Sequence, residues 1–144
     1  MFLNILVAVD GSPSSRRALG QAIDIARAMN STLTLIAVAP PLSHYVTLAG
    51  MSSEKMREEL DKWAAGKLAE AAAAVPDDVL AHTVQRTGHA GQEIIKELER
   101  GSFDLVVLGS RGRGPAQEGL LGSVNGYVHY HSQVPLLSVP DETG

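Results

Sequence analysis

The chain of 144 residues contains no cysteine. That absence removes structural disulfides, thiolate metal sites and cysteine nucleophiles together, and it suits a reducing compartment. Aromatic residues make up only 4% of the chain, too few for the stacking platforms that hold single-stranded nucleic acid. Positive charge is scarce and scattered. Twelve Lys and Arg stand against 16 Asp and Glu, a formal net charge of −4, so general binding to nucleic acid or to an anionic membrane has no electrostatic support. No apolar run is long enough to span a bilayer, and the N-terminal stretch lacks a basic leader followed by an apolar core and a cleavage site. The expectation is a cytoplasmic protein without a targeting segment. The five histidines form no metal pattern: His129 and His131 diverge on a helix, while His44, His82 and His89 stand alone on separate stretches. Two familiar nucleotide signatures are also missing, since there is no G-x-x-x-x-G-K-[ST] and no glycine-rich fingerprint after the first strand.

What is present reads as one domain, 1–144, in which apolar runs of strand length alternate with segments of helical period. Phe2 to Val9 is the first strand, and Ser12-Pro13 caps and opens a helix whose stripe is Leu19, Ala22, Ile23, Ala26 and Met29, with Asn30 as a left-handed stop. Thr32 to Ala39 is the second strand, ended by Pro40-Pro41. Leu42 to Ser52 has no clean period and is expected to be a flap near a ligand. Ser53 to Val75 is a long helix, with Glu58 and Lys62 spaced for an ion pair. A third strand runs from Val79 to Arg86, and a helix with Ile94, Ile95 and Leu98 facing inward stops at Gly101. Phe103 to Leu108 is the fourth strand, and Leu136 to Val139, between Pro135 and Pro140, is a short fifth strand at a sheet edge. Such alternation predicts an α/β fold, an open, doubly wound parallel five-stranded sheet with helices on both faces. Asn125-Gly126 is a hairpin dipeptide, but its neighbours Val124, Tyr127, Val128 and His131 repeat at helical spacing, so the segment is expected to be helical.

The chemistry is concentrated where the fourth strand ends. Leu105 to Leu108 is wholly apolar and empties into Gly109-Ser110-Arg111-Gly112-Arg113-Gly114, and Gly122-Ser123 opens the next helix. Glycines allow a backbone to approach a bulky oxyanion with its N–H groups inward, and a helix N-terminus adds unpaired donors. Arg111 and Arg113 make the stretch locally basic in an acidic chain. This pattern is expected to be a phosphate cradle. Asp10 lies at the end of the first strand; if that strand and the fourth are neighbours across a reversal of strand order, both face one crevice.

The spacing Gly109-x2-Gly112-x9-Gly122-Ser123 resembles the nucleotide-binding signature of the ATP-binding branch of the universal stress protein family. Ile5 to Ser12 resembles that family's first strand and turn, and Val134 to Val139 its last strand. The resemblance implies a Rossmann-like fold of the adenine nucleotide alpha hydrolase type and a cofactor, ATP or another adenine nucleotide, accompanied by Mg²⁺. By the same carry-over Asp10 lies by the sugar, the backbone of Val38 meets the adenine edge, and Gly109, Gly112, Gly122 and Ser123 hold phosphates. Ala8, Val9, Leu108, Val124 and Asn125 then line the pocket, with Arg111 and Arg113 beside the phosphates. Mg²⁺ would be held mainly by phosphate and water, with Asp10 as the best protein candidate. A homodimer through Leu136 to Val139 and a further protein partner are implied as well. No positioned base or metal platform for phosphoryl transfer is evident beside the cradle and its two arginines. The leading expectation is therefore a nucleotide-responsive regulatory module in stress response. The alternatives are a slow ATPase or phosphotransferase on the same cradle and a dimeric interaction protein that binds no nucleotide.

Overall fold

In the computed structural model, which describes residues 1–42, 52–111 and 123–141, strands and helices alternate. Their order is β1 (Asn4–Ala8), α1 (Pro13–Met29), β2 (Thr32–Ala39), α2 (Ser53–Ala74), β3 (Ala81–Thr87), α3 (Ala90–Arg100), β4 (Leu105–Gly109), α4 (Ser123–His131) and β5 (Leu136–Val139). Every strand pair is parallel, and the sheet order is β3-β2-β1-β4-β5. The chain thus winds outward from β1 to β3, then returns across the sheet to place β4 on the other side of β1. The reversal falls between β1 and β4, where Val7 pairs with Val107.

The central strands are mostly apolar, with Asn4, Thr32 and Thr34 near the starts of β1 and β2, because both of their faces are covered. Ile5, Leu6 and Val7 are all fully buried, and alternate residues serve different layers. Ile5, Val7, Leu33, Leu35 and Val107 pack with Ala18, Ala22, Ala64 and Leu68 of α1 and α2. Leu6, Ile36, Val106 and Leu108 pack instead with Ile94 of α3 and Val128 of α4. Burial of each such side chain contributes about 1.5–3 kcal/mol relative to exposure.

Local chemistry sets the ends of α1. The Ser12 hydroxyl accepts from Ser15 N–H at 3.2 Å, Pro13 is the first helical residue, and Asn30 closes the helix in the left-handed region at φ 57°. Three strands are offset from the sequence expectation. The carboxylate of Asp104 accepts from the N–H groups of Leu3 and Asn4, at 3.0 and 3.1 Å, which sets the β1 start at Asn4 and leaves β4 to begin at Leu105. Val79 N–H is taken by Pro76 in a turn, so β3 begins at Ala81. Within α2 the i,i+4 bridge among the described residues joins Arg57 to Asp61 at 3.0 Å rather than Glu58 to Lys62. Met29, placed on the inward stripe of α1, is 36% exposed in the last turn. Asn125-Gly126 lies inside α4, as the three-and-four spacing predicts. The flap expected over Leu42 to Ser52 lies outside the described residues except at its two ends.

Candidate functional site

The carboxyl ends of β1 and β4 open onto a cleft of about 510 Å³, its mouth in open solvent included. This is where ligands settle in open α/β sheets. Three consecutive residues of the first strand and its exit, Ala8, Val9 and Asp10, form one side. Val38 reaches it from β2, Leu108 and Gly109 from the end of β4, Arg111 just beyond, and Val124 and Asn125 from the first turn of α4. These nine positions were named from the sequence, and the fold brings them together. Ser123 is the first residue of α4 and is exposed, outside the lining of the cleft. Gly112, Arg113 and Gly122 lie outside the described residues.

Four lining residues were missed by the sequence reading: Ser15, Ile36, Ala90 and Ile94. Ile36 faces the same layer as Val38, two residues on along a strand. Ala90 and Ile94 belong to the start of α3, which the sequence identifies as a helix without saying which strand end it roofs. Ser15 had a local signal, since it sits in the first turn of a capped helix directly after Asp10.

Asp10 is held from both sides. Its Oδ1 accepts from Ser12 N–H at 2.9 Å, and its own N–H donates to Ser15 Oγ at 3.1 Å. The turn between them needs glycine, because Gly11 has φ +80°. A side chain at Gly11 would also meet the stem of Lys67, whose Cδ lies 2.8 Å from where a Cβ would stand.

Gly109 has a different reason. Its φ is ordinary, but a Cβ there would stand 2.7 Å from both the carbonyl carbon of Ser14 and the backbone nitrogen of Ser15. The missing side chain lets the first turn of α1 press against the end of β4, closing the inner wall of the cleft. From the other side Asn125, only 3% exposed, donates through Nδ2 to Gly109 O at 3.1 Å and to Ser138 Oγ at 2.9 Å. One amide therefore ties α4 to β4 and to the edge strand β5.

The walls made by Ala8, Ile36, Val38, Ile94, Leu108 and Val124 are apolar, and the polar groups converge from Asp10, Ser15, Arg111 and Asn125. Such a cleft can take a flat apolar body that carries a polar or anionic end. Among the described residues no group of three His, Asp or Glu side chains is placed to hold a metal ion, so a cation here would depend on ligand oxygens with Asp10 as the protein carboxylate. Among the described residues no helix is long and apolar enough to cross a membrane.

Comparison with known proteins agrees with this arrangement. Universal stress protein YxiE of Bacillus subtilis is 31% identical over 147 residues, covering 96% of this chain and 99% of that protein. The structure of the hypothetical protein MJ0577 superposes with a TM-score of 0.84 at 22% identity, covering 100% of this chain and 99% of that one, a likeness of fold. A universal stress protein solved in complex with cAMP superposes with a TM-score of 0.68 at 26% identity, covering 96% of this chain and 97% of that one. The model of the universal stress protein family matches residues 1–140. With a doubly wound parallel sheet, a cleft at its reversal point and a family match over nearly its whole length, the chain belongs to the universal stress protein family.

Proposed function

We propose that this chain binds an adenine nucleotide, ATP in the first instance, in the cleft between β1 and β4, and acts as a regulatory module in stress response whose occupied state is recognised by a protein partner. The observation that carries the reading is the make-up of the cleft. Apolar side chains from β1, β2, β4 and α3 supply walls suited to a base, and Asp10 and Arg111 add charged residues for a sugar and phosphates. The cleft lies at the carboxyl ends of the strands beside the reversal of strand order, where open α/β sheets take small ligands. The relative solved with cAMP supports an adenine nucleotide as the class of ligand.

In this reading Val38 offers backbone to the adenine edge, Asp10 meets the sugar, and Gly109, Gly112, Gly122 and Ser123 receive the phosphates, with Arg111 and Arg113 beside them. Where Mg²⁺ accompanies the nucleotide it neutralises phosphate charge, and Asp10 is the carboxylate of the cleft available to it. The protein works in the cytoplasm as a homodimer joined along β5, an edge strand that pairs with β4 alone in the described sheet. Purification under non-denaturing conditions followed by mass spectrometry of the released small molecules tests the reading, together with calorimetric titration of ATP. An adenine nucleotide carried through purification, or saturable ATP binding, is expected. Absence of both, with AMP and cAMP also failing to bind, overturns it.

A further inference from the structure

Arg111 lies two residues beyond the end of β4 and lines the cleft. Ser110 N–H still continues the sheet by donating to Val139 O at 2.8 Å. At Arg111 the backbone leaves the sheet, and one side chain from a distant element serves both its polar groups. Ser14 Oγ donates to Arg111 O at 2.5 Å and accepts from Arg111 N–H at 3.3 Å, a reach of 97 residues in sequence. A hydroxyl can do both at once because it carries one donor and two acceptor lone pairs. Ser12 Oγ stands 3.4 Å from the same carbonyl.

Three features make this a clamp rather than a surface contact. Ser14 is only 1% exposed, so water does not compete for these bonds. Its position is set by the first turn of α1 and by the close approach at Gly109. Ser14 does not line the cleft, so its hydroxyl acts through Arg111 rather than on a ligand.

The geometry points to Ser14 as a positioning residue that sets Arg111 against the cleft and thereby favours phosphorylated ligands over the bare nucleoside, an inference that rests on the nucleotide reading above. Fixing the Arg111 backbone fixes where the guanidinium starts and the direction in which the chain leaves toward Gly112. A nucleoside has no phosphates for Arg111 to meet and depends on the apolar walls instead, so loss of the clamp separates the two ligands. A residue that only held the fold together would weaken both alike.

The test is calorimetric titration of the full chain and of Ser14→Ala with ATP and, separately, with adenosine, with circular dichroism to confirm folding. ATP binding is expected to weaken about tenfold in Ser14→Ala, while adenosine binding stays within about twofold of the wild type. Equal weakening of both ligands, or unchanged ATP affinity in the folded variant, overturns the inference and leaves the nucleotide reading standing. Failure of the wild type to bind either ligand removes the nucleotide reading and this inference with it. If Ser14→Ala does not fold, hydrogen exchange at Arg111 in the wild type decides: slow exchange of its amide supports the clamp, and exchange at the rate of a free amide overturns it.

Discussion

A methyl group at Gly109 would meet backbone, which cannot rotate out of the way. The atoms 2.7 Å from its ideal Cβ belong to the main chain of Ser14 and Ser15, so α1 would have to move from the end of β4. Gly109→Ala is expected to destabilise the fold by about 1–3 kcal/mol, the usual cost of overpacking, read as a lower urea midpoint at unchanged slope. An unchanged midpoint would show that the approach is not tight in solution. Gly122 poses a separate test, argued from the glycine spacing of the sequence alone. If its backbone meets phosphate, Gly122→Val should weaken ATP binding at least tenfold, about 1.4 kcal/mol, because a branched Cβ blocks close approach. Ser123→Ala should do less, since it removes one hydroxyl contact of about 1 kcal/mol and leaves the backbone donors. Calorimetric titration of both variants gives the order, and the reverse order would mean that side chains hold the ligand. The two glycines thus differ in legibility. The cradle reading of Gly109 came from motif spacing, whereas its packing against Ser14 depends on a helix that begins about a hundred residues earlier and leaves no local trace.

At the scale of an element, α4 carries a glycine it does not need. Gly126 is exposed, has no atom of the described residues beyond its own helix backbone and chain neighbours within 4 Å of where a Cβ would stand, and sits inside the helix Ser123–His131. Gly126→Ala should therefore stabilise the protein by about 0.5–1 kcal/mol, through helix propensity and a less flexible unfolded chain, read by thermal or urea denaturation. Destabilisation would argue for a different local conformation. The same element shows where periodicity outweighs a dipeptide signal. Val128 is fully buried against β4 and Ile94, and the burial of that helical face overrides the turn preference of Asn125-Gly126. Asn125 itself is buried for a reason that periodicity does not disclose, namely the amide bonds to Gly109 and Ser138.

For the whole molecule, two expectations concern assembly and acid stability. The β5 edge should pair with a second copy, so light scattering at micromolar concentration is expected to give a dimer; a monomer both with and without nucleotide would remove the proposed interface. Asp78 accepts from Arg27 at 3.1 Å, and this hydrogen bond holds the carboxyl below its ordinary range. A depressed folded-state value means that the pair stabilises above the unfolded value and that its contribution is lost as pH falls through the folded one. The stability gap between wild type and Asp78→Asn should accordingly be present at neutral pH and close only below about pH 4. Both side chains are more than half exposed, so the gap should be small and should shrink in high salt. Parallel denaturation of the two proteins across acid pH checks it, and a gap that widens on acidification would contradict the pairing.

The sequence by itself determined the succession of elements, their caps and much of the candidate site. Those properties depend on neighbours three or four residues away: a hydroxyl before Pro13, a left-handed Asn30, a wholly apolar Leu105 to Leu108. Glycine spacing and the end of the first strand also point to Gly109 and Asp10, and the family resemblance points to Val38. Only the tertiary structure decided that β1 and β4 adjoin across the reversal, that Ile36, Ala90 and Ile94 complete the walls, and that Ser14 receives both polar groups of Arg111. Such pairings join residues up to a hundred positions apart. They arise when β2 and β3 take one side of β1 and β4 returns to the other, which buries both faces of the central strands, and no window of local sequence contains that choice.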